Sequence, residues 1–126
     1  MKKIILIEDD TALSEALAQG LKNADFEVLQ AFDGETGLRT VIDEKPDLIV
    51  LDEILPKLGG LEMRKKLLEN EILADIPIIM LTNIDDPRKV SEALEEGIKD
   101  YLIKAELSIA DIVEKIKEKL TIDTKQ

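Results

Sequence analysis

Six polar side chains stand where short apolar runs stop, and their types suit one kind of chemistry. Glu8, Asp9 and Asp10 follow Ile4-Ile5-Leu6-Ile7, and Asp52 follows Leu48-Ile49-Val50-Leu51. Thr82 follows Ile78-Ile79-Met80-Leu81, and Lys104 follows Tyr101-Leu102-Ile103. Carboxylates held about 4 Å apart repel by roughly 4 kcal/mol at an effective dielectric near 20, so a cluster of them needs a positive partner. An all-oxygen donor set suits a hard cation such as Mg²⁺. Taken singly, an Asp at a strand end is ordinarily a turn former or helix cap, Thr82 a cap, and Lys104 an edge-strand charge. Together, acid, acid, hydroxyl and cation on one edge form a site for a phosphoryl group with its metal.

That convergence requires particular elements. Short, aliphatic runs read as buried strands of a parallel sheet, whose chemistry sits in the crevice at the strands' carboxyl ends. The chain alternates strand and helix five times. Strands are expected at Lys3 to Ile7, Glu27 to Ala31, Asp47 to Leu51, Pro77 to Leu81 and Tyr101 to Ile103. After the first strand, Leu13, Ala16, Leu17, Gly20, Leu21 and Ala24 follow helical spacing, with Asp10 or Thr11 as N-cap. A second helix runs from about Gly34 to Lys45 with Leu38, Val41 and Ile42 inward, and Pro46 stops it. A loop with Pro56, Gly59 and Gly60 leads to a helix bearing Leu61, Arg64, Leu67 and Leu68. Asp86 caps a fourth helix that begins at Pro87 and closes at Gly97. Ser108 and Asp111 form a capping box before the stripe Ile109, Ile112, Val113, Ile116 and Leu120. The fold class is therefore α/β, with helices on both faces of the sheet. Residues 1–120 form one domain, and 121–126 read as a loose tail.

Composition narrows the function further. The 126 residues suffice for one domain with a real core. A formal net charge of −11 argues against a nucleic-acid or anionic-membrane surface. With no cysteine and no histidine, the chain lacks a thiol nucleophile, a zinc-thiolate site and the usual general base. The opening Met-Lys-Lys and a four-residue apolar run do not make a signal peptide, and no run reaches the length of a membrane span, so a cytoplasmic protein is expected.

At this point the chain resembles the receiver domain of bacterial two-component response regulators. The matching stretches are Ile5-Leu6-Ile7-Glu8-Asp9-Asp10, Pro46-Asp47 through Asp52-Glu53-Ile54-Leu55-Pro56, Pro77-Ile78-Ile79-Met80-Leu81-Thr82, and Asp100-Tyr101-Leu102-Ile103-Lys104. The resemblance implies a flavodoxin-like, doubly wound (βα)5 three-layer sandwich with strand order 2-1-3-4-5. It makes Asp52 the acceptor of a phosphoryl group, as 4-aspartylphosphate, from a sensor histidine kinase or histidine phosphotransfer protein. Asp9 and Asp52 would ligate Mg²⁺ with the Ile54 carbonyl, and Glu8 would act mainly through a water. Thr82 and Lys104 would contact the phosphoryl oxygens. Tyr101 would be the aromatic switch that turns inward when Thr82 moves, although position alone also allows simple core filling. The implied protein is a stand-alone phosphoacceptor switch, not an enzyme, that signals to an unknown effector protein through its last strand and flanking helices.

The chain departs from the family pattern at several positions. Ala105 follows Lys104 where proline with a cis bond is common, Asn83 replaces a small residue, Gly59 an Asp or Asn, and Glu53 adds an acid. Ile54 and Ile84 hold positions that in this family commonly tune hydrolysis of the phosphoryl-aspartate, and neither can orient a water, so slow autodephosphorylation is expected. Two other readings are less well served. An aspartate-nucleophile phosphatase usually carries a second Asp two residues after the nucleophile, and here that position is Ile54. A flavin-binding flavodoxin needs a Ser/Thr/Gly phosphate loop, which Glu8-Asp9-Asp10 would repel.

Overall fold

Alternation along the strands decides the architecture. In the computed structural model, which describes residues 1–52, 55, 57–82, 88, 91, 95 and 100–125, five parallel strands pair in the order β2-β1-β3-β4-β5. They are β1 (Lys3–Ile7), β2 (Glu27–Ala31), β3 (Leu48–Leu51), β4 (Ile78–Thr82) and β5 (Asp100–Ile103). Ile5, Ile7, Ile49 and Leu51 point to one face, where they pack with Val41, Met63 and Leu67. Ile4, Leu6, Leu48 and Val50 point to the other, against Leu17, Leu21, Ile112 and Ile116. The apolar residues of β1 and β3 are all buried, as strands covered on both faces must be. The helices α2 (Gly34–Glu44) and α3 (Gly60–Leu68) cover the first face, and α1 (Thr11–Asn23) and α4 (Ile109–Lys125) the second. The strand pattern implied the α/β class, and the resemblance to receiver domains implied this flavodoxin-like sandwich with its strand order.

Local chemistry sets the helix ends. Asp10 caps α1 through Leu13 N–H at 3.1 Å, and Asp33 caps α2 through Thr36 N–H at 2.8 Å. The Ser108–Asp111 capping box is complete, each side chain accepting the other residue's amide at 3.1 Å. At its far end α2 stops at Glu44, and its C-cap Lys45, just before Pro46, takes a left-handed conformation with φ 44°.

Three expectations give way. The buried stripe of α1 is Ser14, Leu17, Ala18 and Leu21, while Ala16 is exposed. A buried, unpartnered hydroxyl costs about 1–3 kcal/mol, and Ser14 avoids this by accepting a 2.8 Å hydrogen bond from Gln30 Nε2 on β2. On α2, Ile42 is exposed, and Gly37 takes an inward place beside Val41. The helix α4 runs on to Lys125, through the segment expected to be loose, because no Gly or Pro after Leu120 breaks it. Arg88, Ser91 and Glu95 are helical and exposed. The caps proposed for that helix at Asp86, Pro87 and Gly97 lie outside the described residues, as do Glu53, Ile54, Asn83 and Ile84.

Candidate functional site

The parallel ladder places the acids before any side chain is considered. Ile7 is in register with Leu51, and Asp52 N–H donates to the Ile7 carbonyl at 3.0 Å, one step beyond the last paired residues. Glu8 and Asp52 therefore leave adjacent strands at the same level. Asp10 turns aside to cap α1, and its own N–H donates to Glu8 Oε1 at 3.1 Å. Glu8, Asp9 and Asp52 remain, each with a carboxylate oxygen within 4.8 Å of the others. Asp9 is exposed, while Glu8 and Asp52 are buried.

Lys104 opens a short 3-10 turn immediately after β5 and reaches across the sheet edge. Its Nζ lies 3.1 Å from Asp52 Oδ2 and 2.6 Å from Glu8 Oε2. The sequence pointed to Lys104 as a phosphoryl contact; its ion pair with Glu8 was not foreseen, because side-chain reach is invisible in a strand pattern. No cis peptide occurs among the described residues, so the Lys104–Ala105 bond is trans. Thr82 ends β4 in register with Ile103, which places it beside Lys104 along the edge. Tyr101, in register with Met80, packs half-buried against the cluster under α2 and α3.

Electrostatics follow from this burial. Desolvation pushes the Glu8 carboxyl above its ordinary value, against the pull of Lys104 and the Asp10 amide, and the charge on Asp52 adds to the rise. For Lys104, burial works to lower the ammonium's pKa, but the contacts with Glu8 and Asp52 outweigh it and hold it above 10.5. The lysine is thus charged at neutral pH. Glu8 Oε2 is buried and is met by the Lys104 ammonium at 2.6 Å. Three carboxylates with oxygens within 4.8 Å of one another, against a single lysine, form an all-oxygen donor set that fits a hard divalent cation.

A match to the response regulator receiver domain model extends over residues 4–117. The chain belongs to the response regulator receiver domain family. It is 37% identical over 103 residues to the phosphate regulon transcriptional regulatory protein PhoB of Pseudomonas aeruginosa, covering 82% of this chain and 45% of that protein. It is 40% identical over 103 residues to the alkaline phosphatase synthesis transcriptional regulatory protein PhoP of Bacillus subtilis, covering 82% and 42%. The receiver therefore spans less than half the length of these two relatives. A CheY-like response regulator receiver domain protein from Methanospirillum hungatei superposes with a TM-score of 0.88 at 30% identity, over 99% of this chain and 98% of that one. Receivers of this family are phosphoacceptor switches that take a phosphoryl group on an aspartate and bind Mg²⁺ at an acidic cluster. No helix among the described residues is long and apolar enough to cross a membrane.

Proposed function

We propose that this receiver accepts a phosphoryl group on Asp52 from the phosphohistidine of a sensor kinase or phosphotransfer protein and passes the resulting change of surface to an effector protein. The observation that supports this best is the burial of Asp52 between Glu8 and Lys104, with Asp9 open to solvent alongside. Asp9, Asp52 and the Ile54 carbonyl would hold Mg²⁺, with Glu8 acting through water. The bound ion would neutralise charge on the phosphoryl oxygens, where phosphoryl transfer needs it most. Asp52 is the nucleophile: its carboxylate oxygen forms the new bond to phosphorus as the histidine nitrogen leaves. Lys104, already against Asp52, supplies a fixed cation to one phosphoryl oxygen. Thr82 donates a hydrogen bond to another, and Tyr101 follows it inward. With no histidine in the chain, the donor imidazole belongs to the partner.

Intact mass after incubation with acetyl phosphate and Mg²⁺ tests this reading. A single phosphoryl adduct is expected, absent from Asp52→Asn; a parent protein that gains no adduct contradicts it. Ile54 and Ile84 leave no side chain to orient an attacking water, so the adduct should outlast that of receivers with polar residues there. A lifetime of seconds in Mg²⁺ buffer contradicts this second expectation.

A further inference from the structure

Gly34 is buried at the first position of α2, and no positive φ calls for glycine there. Space does. A Cβ at this position would overlap the carbonyl oxygen of Leu58, and would lie 2.6 Å from Leu58 Cβ and 2.8 Å from its carbonyl carbon. Two carbons sit comfortably at about 3.5 Å or more, so the shortfall is roughly 1 Å. The atoms in the way are largely backbone, so no rotamer change relieves it. Leu58 belongs to the loop that carries the chain from Asp52 to α3. Leu55 and Leu58 are both buried in the cluster under α2 and α3, and Lys57 between them is left-handed at φ 71°. Lys57 also acts on Asp33, the cap of α2, whose carboxyl is held low first by the Thr36 amide and further by Lys57 and Arg39. One turn along, Gly37 faces Ile7, the residue before Glu8, where a Cβ would come within 2.7 Å of the Ile7 side chain. The first turn of α2 therefore bears on both segments that deliver carboxylates to the site.

We infer that Gly34 is a positioning residue: its missing side chain lets the loop after Asp52 seat on α2, and that seat sets the placement of the acceptor and cation site. The inference rests on the reading of Asp52 given above. Alanine is the better helix former, so a purely local role for Gly34 predicts that Gly34→Ala is harmless. Seating predicts the reverse for the site. Gly20 supplies the control, because a Cβ there would come within 2.9 Å of Val113 Cγ2, a side-chain methyl in the packing of α1 on α4.

The test measures Mg²⁺ binding by calorimetry and acetyl phosphate labelling by intact mass, for the parent, Gly34→Ala and Gly20→Ala. A parent that neither binds Mg²⁺ nor takes label overturns the reading of Asp52, and the inference with it. With a competent parent, folded Gly34→Ala should lose between about tenfold and a hundredfold in Mg²⁺ affinity and labelling rate, the scale of an ångström misplacement. Gly20→Ala should keep both. Parent-like behaviour of Gly34→Ala, or an equal loss in Gly20→Ala, overturns the inference while leaving Asp52 as acceptor. Should Gly34→Ala fail to fold, hydrogen exchange on the parent decides. Mg²⁺ should protect the amides of 57–60 together with those of Thr36 and Gly37, which bond to Asp33. Protection of the loop with none at Thr36 and Gly37 contradicts the inference.

Discussion

At the amino end of β1, Lys3 Nζ lies 3.0 Å from Glu44 and 3.8 Å from Glu27, and its backbone N–H donates to Asp47 at 2.7 Å. Past the carboxyl end of the same strand, Lys104 lies 2.6 Å from Glu8 and 3.1 Å from Asp52. The residue types and distances are alike, but the surroundings differ. The side chains of Lys3, Glu27 and Glu44 are 27%, 54% and 44% exposed, against 11%, 5% and 8% for Lys104, Glu8 and Asp52. Water screens the first group, whose pairs serve solubility and a small local tie. The second has surrendered most of its hydration, so both carboxylates depend on Lys104, and removing the lysine leaves them uncompensated. At the buried end, and not at the exposed one, adding a cation or a phosphoryl group would alter the balance strongly.

Lys104→Met should break this comparison most severely. It strands two buried carboxylates and should cost on the order of 3 kcal/mol of unfolding free energy, read by urea denaturation without divalent cation. Mg²⁺ should stabilise this variant more than the parent, since the ion would take up the charge that the lysine left; equal stabilisation contradicts the dependence of the two carboxylates on Lys104. The same lysine has a pH signature. Its folded pKa lies above 10.5, so its contribution is present below 10.5 and lost as pH rises through the higher folded value. Lys104→Met should lack that alkaline fall.

Glu8 gives a smaller, sharper effect. Its folded pKa is raised above 4.5, so the folded state binds the proton more tightly, and stability falls as pH rises through the window that begins at 4.5. Glu8→Gln should flatten that part of the stability–pH profile measured without Mg²⁺. An unchanged slope contradicts the burial assigned to this carboxyl. The smallest effect belongs to the amino end: Lys3→Met should leave the thermal midpoint within replicate scatter, and added salt should erase any residue of a difference. A loss comparable to that of Lys104→Met removes the contrast between the two ends.

The strand pattern exposed much of this in advance. Four apolar runs ending in Glu8, Asp52, Thr82 and Lys104 define a parallel sheet edge, because a buried strand must stop where charge begins. Asp10 and Ser108 announce helices through short-range hydrogen bonding that needs no tertiary knowledge, whereas the Asp33 cap of α2 is seen only in the structure. What stayed hidden depends on how elements sit together. The inward stripe of α1 is shifted so that Ser14 and Ala18 take the place of Ala16, and Ile42 turns outward while Met63 is fully buried. Helical spacing fixes a stripe's width but not its phase. The contact of Gly34 with Leu58 joins residues distant in sequence and leaves no local trace beyond a glycine beside a cap. The reach of Lys104 to Glu8 is a matter of side-chain length past the ends of the two intervening strands, β4 and β3.

The most direct test of Asp52 as acceptor is chemical trapping. Protein labelled with acetyl phosphate and Mg²⁺ is treated with borohydride, which reduces an aspartyl phosphate to the alcohol and releases phosphate, and the peptides are sequenced by tandem mass spectrometry. The account predicts the reduced residue at position 52 and nowhere else. Reduction at Asp9, Asp10 or Glu8, or a labelled protein with position 52 unchanged, would contradict it.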